Sequence, residues 1–363
     1  MNWRSLIFLV CLLAFVAPTV RADLLVATFN ASGRVLRYNE HTGQYLDTFV
    51  GVDNGGLNLP HGLTYGPDGN LYVASAGNDS VLRYNGTNGA FIDAFVTNHS
   101  GGLDYSVWVE FRSDALYVSS QLGNEVLRYN ATNGAFLGPF VSTNNNGGIN
   151  GPSGMTWGPD GHLYVVGRFG NHVLRYDGTN GNFLKTFVTN GVGGLAQPFG
   201  CHFGPDGNFY VVSGNNNKVA RFDGATGAYL GDFVTNSSGG LSFPVGLEFG
   251  PGGDLFVASL NSNRVVRYSG TNGAPLGDFV LPGFGLSAPN FLLFHTFPPP
   301  RLASITRAGT NVVLSWSGRA DTRLQSKTGV ALTNWQNVAG TLGRNAVTNG
   351  LATNAAFYRL IRD

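Results

Sequence analysis

Apolar positions along the chain fall into short runs cut by clusters of Gly, Asn, Asp and Pro, and no segment beyond the N-terminal region carries a helical period. One stretch shows the pattern: "LYVAS" (71–75), "VLRY" (81–84), "AFIDAF" (90–95) and "VWVEF" (107–111). Runs of this length, rich in β-branched and aromatic residues and bounded by turn formers, predict four β-strands. The set then recurs. Strands of the "LYV" type start at Leu24, Leu71, Leu116, Leu163, Phe209 and Leu255, spaced by 47, 45, 47, 46 and 46 residues. One phrase returns with them, as "SVLRYNGTNGAF" from Ser80, "EVLRYNATNGAF" from Glu125 and "HVLRYDGTNGNF" from His172.

A four-stranded unit repeating at this period predicts the blades of a β-propeller. The turns carry the chemistry that hairpins need. In "GPDGN" (66–70), "GPDGH" (158–162) and "GPDGN" (204–208), Pro sets the first turn angle, Asp bonds the turn backbone and Gly takes a positive φ. The array begins on an "LYV"-type strand at Leu24 and ends on the strand type missing before it, "PNFLLF" (289–294). The expected fold is therefore all-β: a six-bladed propeller of four-stranded blades over 23–295, its last strand completing the first blade. Such closure removes free sheet edges without a disulfide.

The unit "PHGLTYGPDGNLYV" (60–73) followed by "NDSVLRY" (78–84) resembles the NHL repeat, and "PSGMTWGPDGHLYV" (152–165) repeats it. The array is also similar to the six-bladed streptogramin-lyase and gluconolactonase families. That resemblance covers residues 24 to about 294 and implies a wide choice of function: lyases, lactonases, metal-dependent amidating lyases and binding scaffolds. Fold alone does not select among them. The lactonase pattern implies Glu, Asn and Asp in particular blades, and that trio has no clear counterpart here.

The six units act as controls for one another. The recurring Arg (Arg37, Arg83, Arg128, Arg175, Arg221, Arg267) is present in every blade, so it is expected to be a structural anchor that finds carbonyl or carboxylate partners. The strand before "GPDG" lies nearest the axis and varies more. Its apolar face holds Leu63, Val109, Met155, Cys201, Leu247 and Leu292; Cys201 is read there as a small core residue. The other face has Gly62, Trp108, Gly154, Gly200, Gly246 and Phe291, then Thr64, Glu110, Thr156, His202, Glu248 and Leu293. Glu110, His202 and Glu248 share one register and form the candidate metal or acid–base set, one imidazole and two carboxylates suiting zinc or manganese better than calcium. The alternative is a solvated polar channel. The longer connections fall on one face with His61, Trp108, Ser153, Arg168, Phe169, Phe199 and Asn290 near the axis. Of these, His61, Trp108, Arg168, Phe199 and Asn290 are the candidate ligand-binding residues.

The N-terminal "MNWRSLIFLVCLLAFVAPTVRA" is expected to be a signal peptide (1–22), its apolar run too short to span a bilayer comfortably. A secreted, periplasmic or cell-surface protein with no transmembrane span after cleavage is expected. The mature chain then keeps one cysteine, Cys201, so no internal disulfide forms. A proline linker, 296–300, leads to residues 301–363, where short strands predict a small fibronectin- or immunoglobulin-like β-domain with Trp316, Trp335 and Tyr358 as core aromatics. Charge is split: residues 23–300 carry 12 Lys+Arg against 19 Asp+Glu, net −7, and 301–363 carry 8 against 2, net +6. A nucleic-acid partner is not expected, whereas the basic end could touch an anionic cell surface. The partner is an unidentified small molecule, glycan or protein. Three functions remain open: a binding or scaffold propeller, a metal-dependent lyase or lactone hydrolase using the channel, and a structural surface protein with a C-terminal attachment module.

Overall fold

A computed structural model of the protein describes residues 22–296 throughout, then 302–308, 311–316, 322–328, 336–339, 341, 346–350 and 356–362. The expected signal segment through residue 21, linker residues 297–300, Trp335 and the side chains of Trp316 and Tyr358 lie outside the described residues. Ala22–His295 forms one compact unit, and the segment from Thr296 belongs to another. In that second unit, Leu302–Ala308, Asn311–Trp316 and Ala346–Gly350 make one three-stranded sheet; Gln336–Asn337, Thr322–Thr328 and Ala356–Arg362 make a second. Among the described residues, no helix is long and apolar enough to cross a membrane.

The first unit is a six-bladed propeller of four-stranded antiparallel sheets. Blades 2 to 6 each take four consecutive strands, their innermost ones being Pro60–Tyr65, Ser106–Arg112, Pro152–Trp157, Pro198–Phe203 and Pro244–Phe249. Blade 1 is assembled from both ends of the array: Pro289–Thr296 is its innermost strand, beside Ala22–Thr28. The circular offset legible in the repeat phase is therefore the closure of the ring.

Burial follows strand rank. Second strands such as Leu71–Ser75 and Phe209–Ser213 are buried at every position, because neighbouring blades cover both faces. Outer strands such as Phe91–Val96 are exposed except at their last two residues. Blades lock through aromatic triads: Tyr72 meets Phe95 of its own blade and Phe111 of the next edge-on, and Tyr164 does the same with Phe187 and Phe203. Edge-to-face pairs of this kind add about 1 kcal/mol each beyond the area they bury.

The repeated phrase turns out to be a set of anchors. Tyr84, Tyr129, Tyr176 and Tyr268 each donate their hydroxyl to a carbonyl of the connection entering the blade. The residue after each (Asn85, Asn130, Asp177 and Ser269) accepts hairpin N–H groups, as Asn85 does from Thr87 and Asn88. Arg37 pairs with Asp23 and Asp47, Arg83 with Asp68 and Asp93, Arg175 with Asp160, and Arg267 with Asp254. Only Arg37 is fully enclosed; the others lie nearer the rim, where solvent covers part of the guanidinium. Two of the "GPDG" aspartates, Asp68 and Asp160, thus serve twice, as turn caps and as Arg partners.

Innermost strands carry one irregularity in common. In blades 2 to 6 three residues of the innermost strand oppose two of the second, as between Pro60 and Leu63. This bulge re-aims the residues just before and after it. Glycine follows at the third position in four blades for a steric reason: a Cβ on Gly154 would lie 2.5 Å from the Phe199 carbonyl oxygen, and one on Gly246 would lie 2.4 Å from that of Asn290.

Candidate functional site

The loop face is organised by a clamp repeated from blade to blade. The residue entering each innermost strand (Leu59, Tyr105, Gly151, Gln197, Phe243, Ala288) is left-handed, with φ between 47° and 65°. Only one of the six is glycine, so each of the others carries roughly 1–2 kcal/mol of backbone strain. The strain is held by two bonds. The N–H donates to the side-chain oxygen of an Asx residue in the preceding blade: Asp79 for Tyr105, Asn124 for Gly151, Asn171 for Gln197, Asn217 for Phe243 and Asn263 for Ala288, at 2.6–2.8 Å. The carbonyl accepts the N–H of the residue just past the second strand, as Tyr105 does from Gln121 and Gly151 from Arg168. Leu59 bonds the Asn30 carbonyl instead, because Gly33 stands where the other blades have Asx.

These clamps fix the side chains around the channel mouth. Asn290 and His61, from adjacent blades, are both buried. The Asn290 amide nitrogen donates to the Pro60 carbonyl at 3.4 Å and to His61 Nδ1 at 2.8 Å. A carbonyl only accepts, so the amide orientation is fixed and His61 Nδ1 is the acceptor. Burial, with the Arg168 charge adding to it, pushes the His61 pKa down to about 3, so the ring is neutral with its proton on Nε2. Phe29, Tyr105 and Phe291 surround it at 4.8, 5.7 and 6.0 Å between ring centres.

Arg168 crosses the mouth from blade 4. Its guanidinium lies 4.0 Å from the centre of the Phe199 ring and 5.3 Å from that of Phe169. Weak hydrogen bonds to the side-chain oxygens of Gln121 (3.5 Å) and Gln197 (3.4 Å) steady its two ends. None of the ion pairs among the described residues involves it. Four buried polar atoms here have no hydrogen-bond partner: His61 Nε2, Asn290 Oδ1, Gln121 Nε2 and Arg168 Nε. Others of that kind, such as Tyr38 Oη, Trp157 Nε1 and the Nε of Arg221, are scattered through the blades. The four here lie on side chains of blades 1 to 4 that meet in pairs, Asn290 with His61 and Arg168 with Gln121. Each orphaned group costs about 1–3 kcal/mol unless something bonds it.

Below the mouth, Trp108 and Phe291 stand where four blades have glycine and meet edge-on at 4.8 Å. Phe291 touches the His61 level, and Trp108 Nε1 donates to Glu110 Oε2 at 3.3 Å on the level beneath. The pair stands between the two ends of the channel. On the lower level Glu110, His202 and Glu248 share one register, as expected. His202 and Glu248 come within 3.9 Å, with His202 Nδ1 bonded to the Phe203 carbonyl. Glu110 belongs to blade 3 and Glu248 to blade 6, opposite one another in the ring. Enclosure raises the Glu110 pKa to about 8, the Glu248 charge adding and the Trp108 bond opposing. Enclosure also raises that of Glu248, with His202 opposing.

The expected metal trio is thus brought to one level and not to one point. Among the described residues no group of three His, Cys, Asp or Glu side chains is gathered so as to hold a metal ion. The two carboxylates face one another across the ring closely enough for the Glu248 charge to act on Glu110, while Trp108 bonds Glu110. Of the expected ligand residues, His61 contacts Asn290 and Arg168 contacts Phe199, while Trp108 lies one level down against Phe291. Ser153 is buried and donates to the Phe199 carbonyl at 3.1 Å, a clasp between blades. Cys201 is a buried core thiol, as read. Sequence reasoning missed Tyr105, Gln121 and Gln197. Their signal was available one step outside the strands, in the residue before each innermost strand and the residue after each second strand.

Comparison with known proteins adds the fold and no more. No family model matches the chain, and no curated protein does. Among solved structures it is similar to a chain of a nidogen/laminin complex, at 13% identity and a TM-score of 0.60, covering 75% of this chain and 97% of that one. It is similar to a protein of unknown function from Bacteroides caccae (14%, TM-score 0.58, 75% and 98%). A catalytically inactive virginiamycin B lyase from Staphylococcus aureus with quinupristin is also similar (17%, TM-score 0.50, 71% and 92%).

Proposed function

We propose that this protein is a secreted or envelope-associated binding propeller that takes its ligand in the channel mouth on the loop face. One observation carries the reading: the partly exposed Arg168 guanidinium lies over Phe199 beside the exposed Phe169, with two amide oxygens as partners and no ion pair among the described residues. A cation held on an aromatic face and left without a carboxylate partner suits a polar or anionic ligand. The similar propellers include one from a nidogen/laminin complex and one lyase, so both binding and catalysis occur on this architecture. The groups here that could run acid–base chemistry, Glu110, His202 and Glu248, lie beyond the Trp108–Phe291 pair from the mouth, which favours binding over a lyase or lactonase. The resemblance of the repeated unit to the NHL repeat fits the same reading. Within it, the +6 charge of residues 301–363 suits attachment to an anionic surface.

The test is ligand-observed NMR and thermal shift against a library of amino acids, sugars, sugar acids and aromatic acids. Hits should compete with one another and be lost in an Arg168→Met variant that remains folded. Hits unaffected by that variant would overturn the mouth as the site.

A further inference from the structure

Asparagine followed by glycine recurs along the propeller, and such a pair is open to one spontaneous change. The glycine backbone nitrogen can attack the preceding side-chain amide, because no Cβ crowds its approach. Folding decides which pairs react. The attack needs a glycine N–H and a side-chain amide that are both unengaged and able to meet.

The repeats allow that accounting position by position. In the hairpins, Gly89, Gly134, Gly181 and Gly273 each donate their N–H to the carbonyl that opens the turn, at 2.8–2.9 Å. Their partners Asn88, Asn133, Asn180 and Asn272 each accept the N–H two residues on, at 2.9–3.0 Å. Both halves of those pairs are spent. Gly86 and Gly151 donate to the side-chain oxygens of Asn70 and Asn124. Asn54 and Asn146 have their amide nitrogens fixed on the Gly89 and Asn124 carbonyls. Asn190–Gly191 differs from all of these. Both residues are exposed, and among the described residues no hydrogen bond engages the Asn190 side chain or the Gly191 N–H.

Sister blades supply the physical reason. The same connection reads "TNHS" (97–100), "TNGV" (189–192) and "TNSS" (235–238). His99 and Ser237 sit at φ 54° and 56° and donate their N–H to the carbonyls of Asp79 and Asn217 in the same blade. Asn98 is tied as well, to the Asn78 carbonyl at 2.8 Å. Gly191 has turned instead to φ 89° and ψ −25°, a rotation that glycine allows, and its N–H makes no such bond to the equivalent Asn171.

We infer that Asn190 is a site of spontaneous deamidation in the folded protein, giving aspartate and isoaspartate. The Gly191 nitrogen, its proton taken up by hydroxide, forms a C–N bond to Asn190 Cγ. The bond from Cγ to the side-chain nitrogen breaks, and ammonia leaves with a proton drawn from water. Water then opens the cyclic imide at either carbonyl. The net change is water consumed and ammonia released, with nothing oxidised or reduced. The product carries a carboxylate, ionised at neutral pH, on the connection that ends at Gln197, whose side-chain oxygen steadies Arg168.

The test is timed incubation of the intact folded protein at mildly alkaline pH. Peptide mapping with electron-transfer fragmentation then tells isoaspartate from aspartate. Asn190 should convert at least ten-fold faster than Asn88, Asn133, Asn180 or Asn272. In urea that advantage should vanish, because each pair is the same two residues and only the fold distinguishes them. Amide hydrogen exchange gives an independent reading: the Gly191 N–H should exchange at the unprotected rate while those of the hairpin glycines are slowed. Conversion of Asn190 at the hairpin rate, faster conversion of Asn54 or Asn146, an advantage that persists in urea, or a protected Gly191 N–H would each overturn the proposal.

Discussion

The two ends of the channel break the six-fold repeat to a similar degree and end in opposite states. At the base, Glu110 accepts from Trp108, His202 bonds the Phe203 carbonyl, and Glu248 stands beside His202; all three side chains stay partly open to solvent. At the mouth, His61, Asn290, Gln121 and Arg168 each keep one buried atom without a partner. Departure from a repeat therefore marks where selection by architecture has relaxed, and it does not by itself mark a ligand site. Unspent hydrogen-bonding capacity makes the distinction. The sharpest ways to test this contrast disturb one end and read the other.

The largest effect should come from the strand that serves both ends. Deleting Pro289–Thr296 removes the innermost strand of blade 1, the buried Asn290 and the Phe291 half of the partition. It also opens the ring, exposing the edge of Ala22–Thr28 and the face against which Gly246 packs. The expected outcome is loss of a single cooperative thermal transition by circular dichroism, and a variant that melts like the wild type would refute closure by this strand.

Next in size is the partition. Trp108→Ala removes the edge contact with Phe291 and should cost roughly 2–4 kcal/mol in chemical denaturation, as large-to-small changes at packed aromatic sites do. The Glu110 pKa should respond in a telling direction. Losing the Trp108 hydrogen bond alone would raise it further, whereas admitting solvent lowers it, and enclosure is the larger cause. The expected result is therefore a fall from about 8 toward the ordinary carboxylate range, read by carbon NMR of the labelled glutamate. A rise would mean that enclosure comes from the blades and not from the aromatic pair.

The two ends should also pull stability in opposite directions with pH. His61 has its folded pKa lowered to about 3 against 6.5 unfolded, so between these values the unfolded chain binds the extra proton. Its contribution is complete above 6.5 and is lost as pH falls, at no more than about 1.4 kcal/mol per pH unit for one group. Glu110 is the mirror case: raised from 4.5 to about 8, it stabilises fully below 4.5 and loses that contribution as pH climbs to 8. Denaturation between pH 6.5 and 8 should show falling stability that Glu110→Gln flattens. Below pH 4.5 the His61 slope stands clear of Glu110, and His61→Gln should reduce it. A variant that leaves its own window unchanged would show that the assigned group is not the one titrating there.

Much of this architecture was legible in the chain. The phase of the repeat gave blade number and closure, because Leu24 begins the array one strand late and Phe294 ends it. Register placed Glu110, His202 and Glu248 on one level, because alternation holds after the bulge. Two things were not legible. Alternation fails across the bulge, so the aim of His61 and Asn290 could not be read from strand period. The amount of hydrogen bonding each group had already spent also depends on partners far apart in sequence, such as Asn290 with His61 and Arg168 with Gln121. For Glu110, His202 and Glu248 residue type and level were visible in the sequence, whereas the Trp108 bond to Glu110 was not.

The smallest effect on stability should be the most selective. Asn171 lies in the hairpin of blade 4 and contacts the mouth only through its side-chain oxygen, which accepts the Gln197 N–H at 2.8 Å. Asn171→Ala removes that bond and sets an alanine at a position with φ of 52°, where Asn is tolerated better than other side chains. The cost should be about 1–2 kcal/mol, since one hydrogen bond and some backbone strain are involved. Asn171→Gly removes the bond without the strain and should cost less. In both variants Gln197 loses its left-handed clamp, and its side chain no longer steadies one arm of Arg168. Ligand affinity at the mouth should then fall several-fold in both, with glycine and alanine alike despite their different stabilities. Glu248→Gln, at the other end of the channel, should leave affinity unchanged. Affinity that tracks stability across the three variants would mean that the clamp acts through the fold as a whole, and the contrast between mouth and base would lose its meaning.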